Sequence, residues 1–156
     1  MRLWDWAVQG YARPGVEALC LELQDEHGQC VSFLLWGAWA GAEGRQIDAE
    51  ALAEAALLAR DWETTVLRPL RSARRALKTV RRGLPNADQA ALKARVQAEE
   101  LAAERLLLEA LETKAGAASS GPSDVRRAVD DAARAWDPAF RADALLDDFS
   151  GAFSGA

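Results

Sequence analysis

Histidine and cysteine are scarce in this chain, and so are the motifs that depend on them. The 156 residues include one histidine and two cysteines. The sequence contains no CxxC or HExxH motif and no glycine-rich phosphate loop. One histidine excludes a metal-binding histidine cluster, and two cysteines are too few for a disulfide framework. We therefore predict no metal and no cofactor, and we assign no catalytic residue.

β-Branched residues are also few, whereas alanine and leucine dominate a sequence that is 50% hydrophobic. This composition is typical of a globular, all-α protein. We predict a compact helical bundle of about five to six helices around a buried apolar helical hairpin. The predicted organisation is a helical domain over residues 1–115 and a flexible linker over 116–123. Residues 124–156 then form a C-terminal helix and an acidic aromatic tail, docked on the same domain.

Long hydrophobic runs are missing as well. Asp5 and Gln9 interrupt the N-terminal apolar residues before a secretory signal can form. The uncharged run that ends at Ala42 is too short to span a bilayer. Cys20 and Cys30 both lie in apolar sequence, where a thiol usually behaves as a small buried hydrophobe. We expect a reduced, cytoplasmic protein with no membrane partner.

The longest apolar stretch spans residues 14–42 and divides into two halves near Gly28. Apolar residues recur at helical spacing in each half, and aromatic residues fill the other faces of the second half. These positions are Val16, Leu19, Cys20 and Leu23, then Val31, Phe33, Leu34, Leu35, Trp36, Ala38 and Trp39. The pattern predicts an amphipathic helix followed by a buried central helix. Alternation over residues 19–23 and 31–35 leaves a β-hairpin as the rival interpretation.

A run of cationic residues without any acidic residue lies between positions 68 and 82. Helical spacing would place the run on one broad face, opposite an apolar face formed by Leu70, Ala73, Leu77, Val80 and Leu84. The cationic residues are Arg68, Arg71, Arg74, Arg75, Lys78, Arg81 and Arg82. They are candidates for binding an anion or a partner. The alternative is a face that is solvated, or paired internally with the glutamate-rich helix that follows.

Polar residues and prolines predict where the neighbouring helices begin and end. Asp48 is a predicted N-cap, and Pro69 should end or kink the helix that Asp48 begins. Asn86 is the predicted cap of the glutamate-rich helix, residues 87–114. Ser123 is the predicted cap of a helix over residues 124–136.

Apolar side chains also occur within the acidic C-terminal stretch, residues 137–156. The candidates for docking are Phe140, Leu145, Leu146 and Phe149. This stretch predicts either a small helix docked on its own domain or a tail that folds onto a partner.

The first third of the chain carries a recognisable residue pattern. It consists of Trp4, Tyr11-Ala12-x-Pro14-Gly15-Val16, Cys20-Leu21-x-Leu23-Gln24-Asp25, Gly28, Val31, Leu34-Leu35 and Trp36. Over about the first 45 residues the chain thus resembles a family of small uncharacterised proteobacterial proteins, known only as a domain of unknown function. The resemblance implies a bacterial cytoplasmic protein, and it implies no activity, cofactor or catalytic residue.

The leading hypothesis is a non-enzymatic protein–protein interaction or adaptor module that uses the basic helix face or the acidic aromatic tail. A second hypothesis is a nucleic-acid-associated protein that binds phosphates through Arg68, Arg71, Arg75, Lys78 and Arg82. A third is a small helical enzyme that acts on an anionic metabolite, for which these arginines would line a closed polar pocket.

Overall fold

The computed structural model describes residues 1–118 and 124–154, and the all-α expectation is confirmed within these ranges. The described ranges contain eight α-helices, because the N-terminal lead-in and the C-terminal tail each form a helix of their own. They are α1 (Leu3–Tyr11), α2 (Val16–Asp25), α3 (Val31–Ala42), α4 (Ala49–Trp62), α5 (Arg68–Ala76), α6 (Asn86–Glu112), α7 (Val125–Trp136) and α8 (Asp143–Phe153). A π-helical segment, Glu63–Leu67, joins α4 to α5.

Helix α3 is the centre of the fold, with every residue from Val31 to Gly41 buried. It packs against α1, α2, α4, α6, α7 and α8, and its Phe33, Trp36 and Trp39 side chains are fully buried. The predicted helical hairpin is confirmed, and the β-hairpin interpretation is wrong. A helix that is apolar on every face can be stable in water only where other helices surround it.

The closest helix pairing is between α3 and α7, where glycines let the two backbones approach. A Cβ atom added at Gly37 would lie 2.9 Å from the carbonyl oxygen of Ala128 and 3.0 Å from the Cβ of Ala132. A Cβ atom added at Gly41 would lie 2.8 Å from the Cα of Val125. Small residues on both helices are therefore required at this contact.

The helical path does not end at Pro69, contrary to one of the two outcomes expected there. The backbone N–H of Arg68 bonds to the carbonyl of Glu63, five residues earlier, so the helix changes to a π turn before the proline. Helix α5 then begins at Arg68 with Pro69 in its first turn, where the missing donor is tolerated. The predicted Asp48 cap is confirmed, because its carboxylate accepts a hydrogen bond of 2.8 Å from the N–H of Ala51.

The C-terminal helices pack onto the same core. Helix α8 contacts α2, α3 and α7, and the Phe153 ring stacks on Trp6 of α1 with 4.7 Å between ring centroids. Asp124 caps α7 by accepting a 2.9 Å hydrogen bond from the N–H of Arg127. The predicted Ser123 cap lies outside the described residues.

The segment predicted as a linker is described only at its start. The N–H of Gly116 donates a 2.9 Å hydrogen bond to the carbonyl of Gln46, and Ala118 forms an isolated antiparallel β-bridge with Arg45. Residues 116–118 are thus tied to the loop before α4, and residues 119–123 lie outside the described ranges.

Candidate functional site

The cationic run divides into two parts because α5 ends sooner than expected. A helix through Arg82 was predicted, but α5 ends at Ala76. The buried amide of Gln89 closes the connection, since its Nε2 donates to the carbonyls of Leu77 (3.1 Å) and Thr79 (2.7 Å) and its Oε1 accepts from the N–H of Arg81 (3.2 Å). This side chain satisfies backbone groups that a longer helix would otherwise have paired.

Two expected details around this connection are wrong. Asn86 is the first residue of α6 and makes no cap, and Pro85 occupies the capping position without a side-chain hydrogen bond. The predicted apolar face of the basic helix does not continue along the whole run either. Leu70 packs against the core, whereas Ala73, Val80 and Leu84 are exposed. The chain past Ala76 follows a turn, in which helical spacing no longer decides which side chains share a face.

The inner part of the cationic run is paired with carboxylates inside the protein. Arg71 is only 8% exposed, and its guanidinium lies 2.8 Å from Oε1 of Glu63 and 3.5 Å from Oε1 of Glu100. Arg74 also binds Glu100, with 3.2 Å between Nη2 and Oε1. These two arginines therefore already hold anionic partners from their own chain, and leaving either buried charge unpaired would be costly.

A third carboxylate, Glu104, faces this ion cluster without a salt bridge to any of the described residues. Burial, with a further contribution from the Glu100 carboxylate, raises the pKa of Glu104 to about 7, although Arg71 opposes the shift. Two guanidinium groups thus face three carboxyl groups, and one of these groups holds a proton near neutral pH. The cluster is a structural junction of the π segment, α5 and α6.

The two thiols show no sign of nucleophilic activation. Cys20 and Cys30 are both buried and free. Burial raises the pKa of the Cys20 thiol to about 11 and that of Cys30 to about 12. Both therefore stay protonated at neutral pH, where a catalytic cysteine would need to be a thiolate.

The outer part of the cationic run faces solvent. Arg75 makes an exposed ion pair with Asp25, with 2.6 Å between Nη2 and Oδ1. The remaining four side chains are exposed and make no ion pair within residues 1–118 and 124–154. They belong to Arg68, Lys78, Arg81 and Arg82.

The end of the hairpin formed by α5 and α6, residues 77–95, is called the basic tip. Three of these four cations lie in it. The basic tip contains Lys78, Arg81, Arg82, Lys93 and Arg95, and its one acidic residue is Asp88. The chain as a whole has a net charge of −5, so positive charge is concentrated at this end of the molecule. Ala103 is the first apolar residue of α6 that belongs to the hydrophobic core of the described residues. The first turns of α6 therefore lie outside this core.

Large apolar side chains are exposed among the charges of the basic tip. The exposed fractions are 66% for Val80, 57% for Leu84 and 42% for Leu92. Sequence reasoning missed this surface because it placed Val80 and Leu84 on the apolar face of one continuous helix. The glycine and proline in residues 83–85 were the available signal, since they mark a turn close to both side chains.

The predicted docking residues of the C-terminal tail are mostly covered by their own chain. Phe140 is 4% exposed, Leu146 and Phe149 are fully buried, and Leu145 is partly buried. These side chains contribute to the core of the described fold, and the surface they would offer to a partner is small.

The fold and this site define a small all-α protein with a charge-segregated surface, and the described residues include no helix long and apolar enough to cross a membrane. The chain belongs to the family described as "Protein of unknown function (DUF2390)", whose model matches residues 2–111. This match runs from α1 almost to the end of α6 and includes the basic tip. No curated protein and no solved structure matches the chain.

Proposed function

We propose that this protein is a non-enzymatic protein-interaction module of the bacterial cytoplasm, and that its basic tip binds an acidic amphipathic segment of a partner protein. The observation that carries the proposal is the exposure of Val80 and Leu84 among cations that lack acidic partners within the described residues. Two free thiols support a reducing compartment.

The apolar side chains favour a protein partner. Exposed leucine and valine side chains are ordinary when isolated, but several grouped at one end of a hairpin are typical of an interaction site. Interfaces commonly combine an apolar centre with arginines around it. Val80, Leu84 and Leu92 would supply the centre, and Arg81 and Arg82 the surroundings.

The positive charge of the basic tip and the fixed conformation of its turn indicate which kind of partner would fit. Five cations and one acid favour an acidic segment, because like charges at an interface are strongly unfavourable. The three hydrogen bonds of Gln89 hold the turn in place before binding, so less conformational entropy is lost when a partner docks. A short helix with acidic residues on one face and leucines on the other has this chemistry.

The same five cations could also contact the phosphates of a nucleic acid, and salt dependence separates the two modes. Five phosphate contacts would weaken binding about 500-fold between roughly 50 and 200 mM salt. Apolar contacts are not screened by salt, so the proposed protein complex should lose much less affinity.

The test is photo-crosslinking in the native bacterial host, with a benzophenone amino acid at the exposed Thr79. The proposal expects a protein crosslink that maps to an acidic amphipathic segment and that disappears in the Val80→Ser/Leu84→Ser variant. The matched control is Leu57→Ser/Leu106→Ser, which alters side chains of similar exposure, 69% and 57%, away from the tip. A nuclease-sensitive crosslink would favour the nucleic-acid mode, and a crosslink unchanged by Val80→Ser/Leu84→Ser would contradict the proposal.

A further inference from the structure

The exposed side of α2 is acidic and carries a large apolar side chain. Leu21 is 49% exposed, and helical spacing places Glu17, Ala18 and Asp25 next to it. Glu22 lies one turn before Asp25 and is exposed as well. We call these five residues the acidic face of α2. Helix α2 contains no cation of its own, and Glu17 and Glu22 make no ion pair within residues 1–118 and 124–154.

The acidic face of α2 lies beside the basic tip of the same molecule. The ion pair between Arg75 and Asp25, 2.6 Å long, joins the C-terminal end of α2 to the C-terminal end of α5. The basic tip begins at the first residue after α5. One surface therefore has an acidic half on α2 and a basic half at the tip, and each half has exposed apolar side chains.

Within one molecule the two halves do not cover each other beyond this ion pair. Val80 and Leu84 stay 66% and 57% exposed, and Arg81 and Arg82 make no ion pair with the rest of the described chain. A second copy brings both halves into contact at once. A two-fold axis that places the basic tip of one copy on the acidic face of the other also creates the reciprocal contact.

This arrangement favours a closed dimer. Every favourable contact is made twice across a two-fold axis, and no half of the surface is left over to recruit a third copy. Opposite charges face each other in both contacts, which favours this register over one that pairs like halves. The apolar side chains of both halves are then removed from water together.

We propose that the basic tip is occupied by a second copy of this chain, in a two-fold dimer in which the acidic face of α2 on each copy contacts the basic tip of the other and Leu21 packs against Val80 and Leu84. The inference rests on the proposed function, because it uses the same tip and the same class of acidic amphipathic segment. An external partner segment then has to displace α2, so the dimer keeps the tip covered until such a segment binds.

The test is sedimentation equilibrium of the full chain, with charge-reversed variants on each side of the contact. With rising concentration the wild type should shift from the monomer mass of 16.9 kDa towards the mass of a dimer. The tip variant Arg81→Glu/Arg82→Glu and the α2 variant Glu17→Lys/Glu22→Lys should each weaken dimerisation at least about tenfold, because like charges then meet in both contacts. An equimolar mixture of the two variants should form a heterodimer, because opposite charges meet again in both contacts.

Leu57→Ser/Leu106→Ser is the matched control and should dimerise like the wild type. Leu57 is the exposed leucine of α4, a second helix with several acidic residues, so this variant tests whether α2 is the acidic helix in use. A wild type that stays at 16.9 kDa up to about 1 mM would overturn the inference. A mixture that associates no better than the separate variants would overturn it as well.

The crosslinks from Thr79 separate a failure of this inference from a failure of the proposed function. A monomeric wild type whose Thr79 crosslinks a different protein would overturn the dimer and leave the proposed function intact. Crosslinks that map only to α2 of a second copy would support the dimer and contradict an external partner.

Discussion

Glu104 should make the protein less stable as the pH rises through neutrality. Its side chain faces ionisable groups on five elements of the fold: Tyr11, Cys20, Glu63, Arg71, Arg74 and Glu100. Burial raises the pKa of Glu104 from 4.5 to about 7 in the folded protein. Between these values the folded chain holds a proton that the unfolded chain has lost, so the free energy of unfolding falls as the pH increases.

The size of this effect follows from the pKa difference. One pKa unit corresponds to about 1.4 kcal/mol. The shift of Glu104 therefore lowers the free energy of unfolding by at most about 3 kcal/mol between roughly pH 4.5 and pH 7.5. Because Glu104 is not fully buried, we expect about 1–3 kcal/mol. Glu104→Gln keeps the shape of the protonated side chain and cannot ionise, so it should remove this part of the pH dependence.

The assay is urea unfolding of the wild type and of Glu104→Gln at several pH values across this window. The variant should match the wild type at the acidic end and be more stable at the alkaline end. Glu99→Gln, which replaces an exposed carboxylate on the same helix, is the control and should show no such divergence. The reasoning is refuted if the difference in stability between the wild type and Glu104→Gln does not change with pH.

Two further predictions concern packing and charge. Gly37→Ala places a methyl group 2.9 Å from the Ala128 carbonyl and should cost about 1–3 kcal/mol in urea unfolding. Gly151→Ala, on a helix face with open space, should instead stabilise by about 0.5–1 kcal/mol, and equal effects of the two would contradict the described α3–α7 contact. Arg71→Met leaves the buried carboxylate of Glu63 without its cationic partner and should cost about 3–5 kcal/mol. Arg75→Met breaks an exposed ion pair and should cost about 0–1 kcal/mol. A larger loss of stability for Arg75→Met than for Arg71→Met would contradict the burial of the Arg71 ion pairs.

Local patterns predicted the elements that depend on neighbouring residues. The apolar periodicity over residues 14–42 was sufficient for the helical hairpin, because a helix that is apolar on all sides has few alternatives. The Asp48 cap was predictable because its carboxylate acceptor and the Ala51 N–H are only three residues apart in the sequence.

Long-range contacts account for what the sequence did not predict. The early end of α5 depends on Gln89, which lies ten residues after Thr79 and could not be assigned to that role from spacing. The division of the cationic run depends on which arginines meet Glu63 and Glu100, and this is set by how α5 packs on α6 and on the π segment. Arg71 and Arg74 therefore fit the alternative in which the cationic face is paired with carboxylates of its own chain. The hypothesis that cations bind a partner now rests on the basic tip.

The most direct measurement of the central proposal is the affinity of the crosslinked partner segment, made as a labelled synthetic peptide, for three proteins at low and high salt. The wild type and Leu57→Ser/Leu106→Ser should bind equally well and lose little affinity as salt rises. Val80→Ser/Leu84→Ser should bind about tenfold or more weakly, since it removes the apolar centre of the surface while every charge remains. Equal affinities of all three proteins would contradict the proposed role of the basic tip.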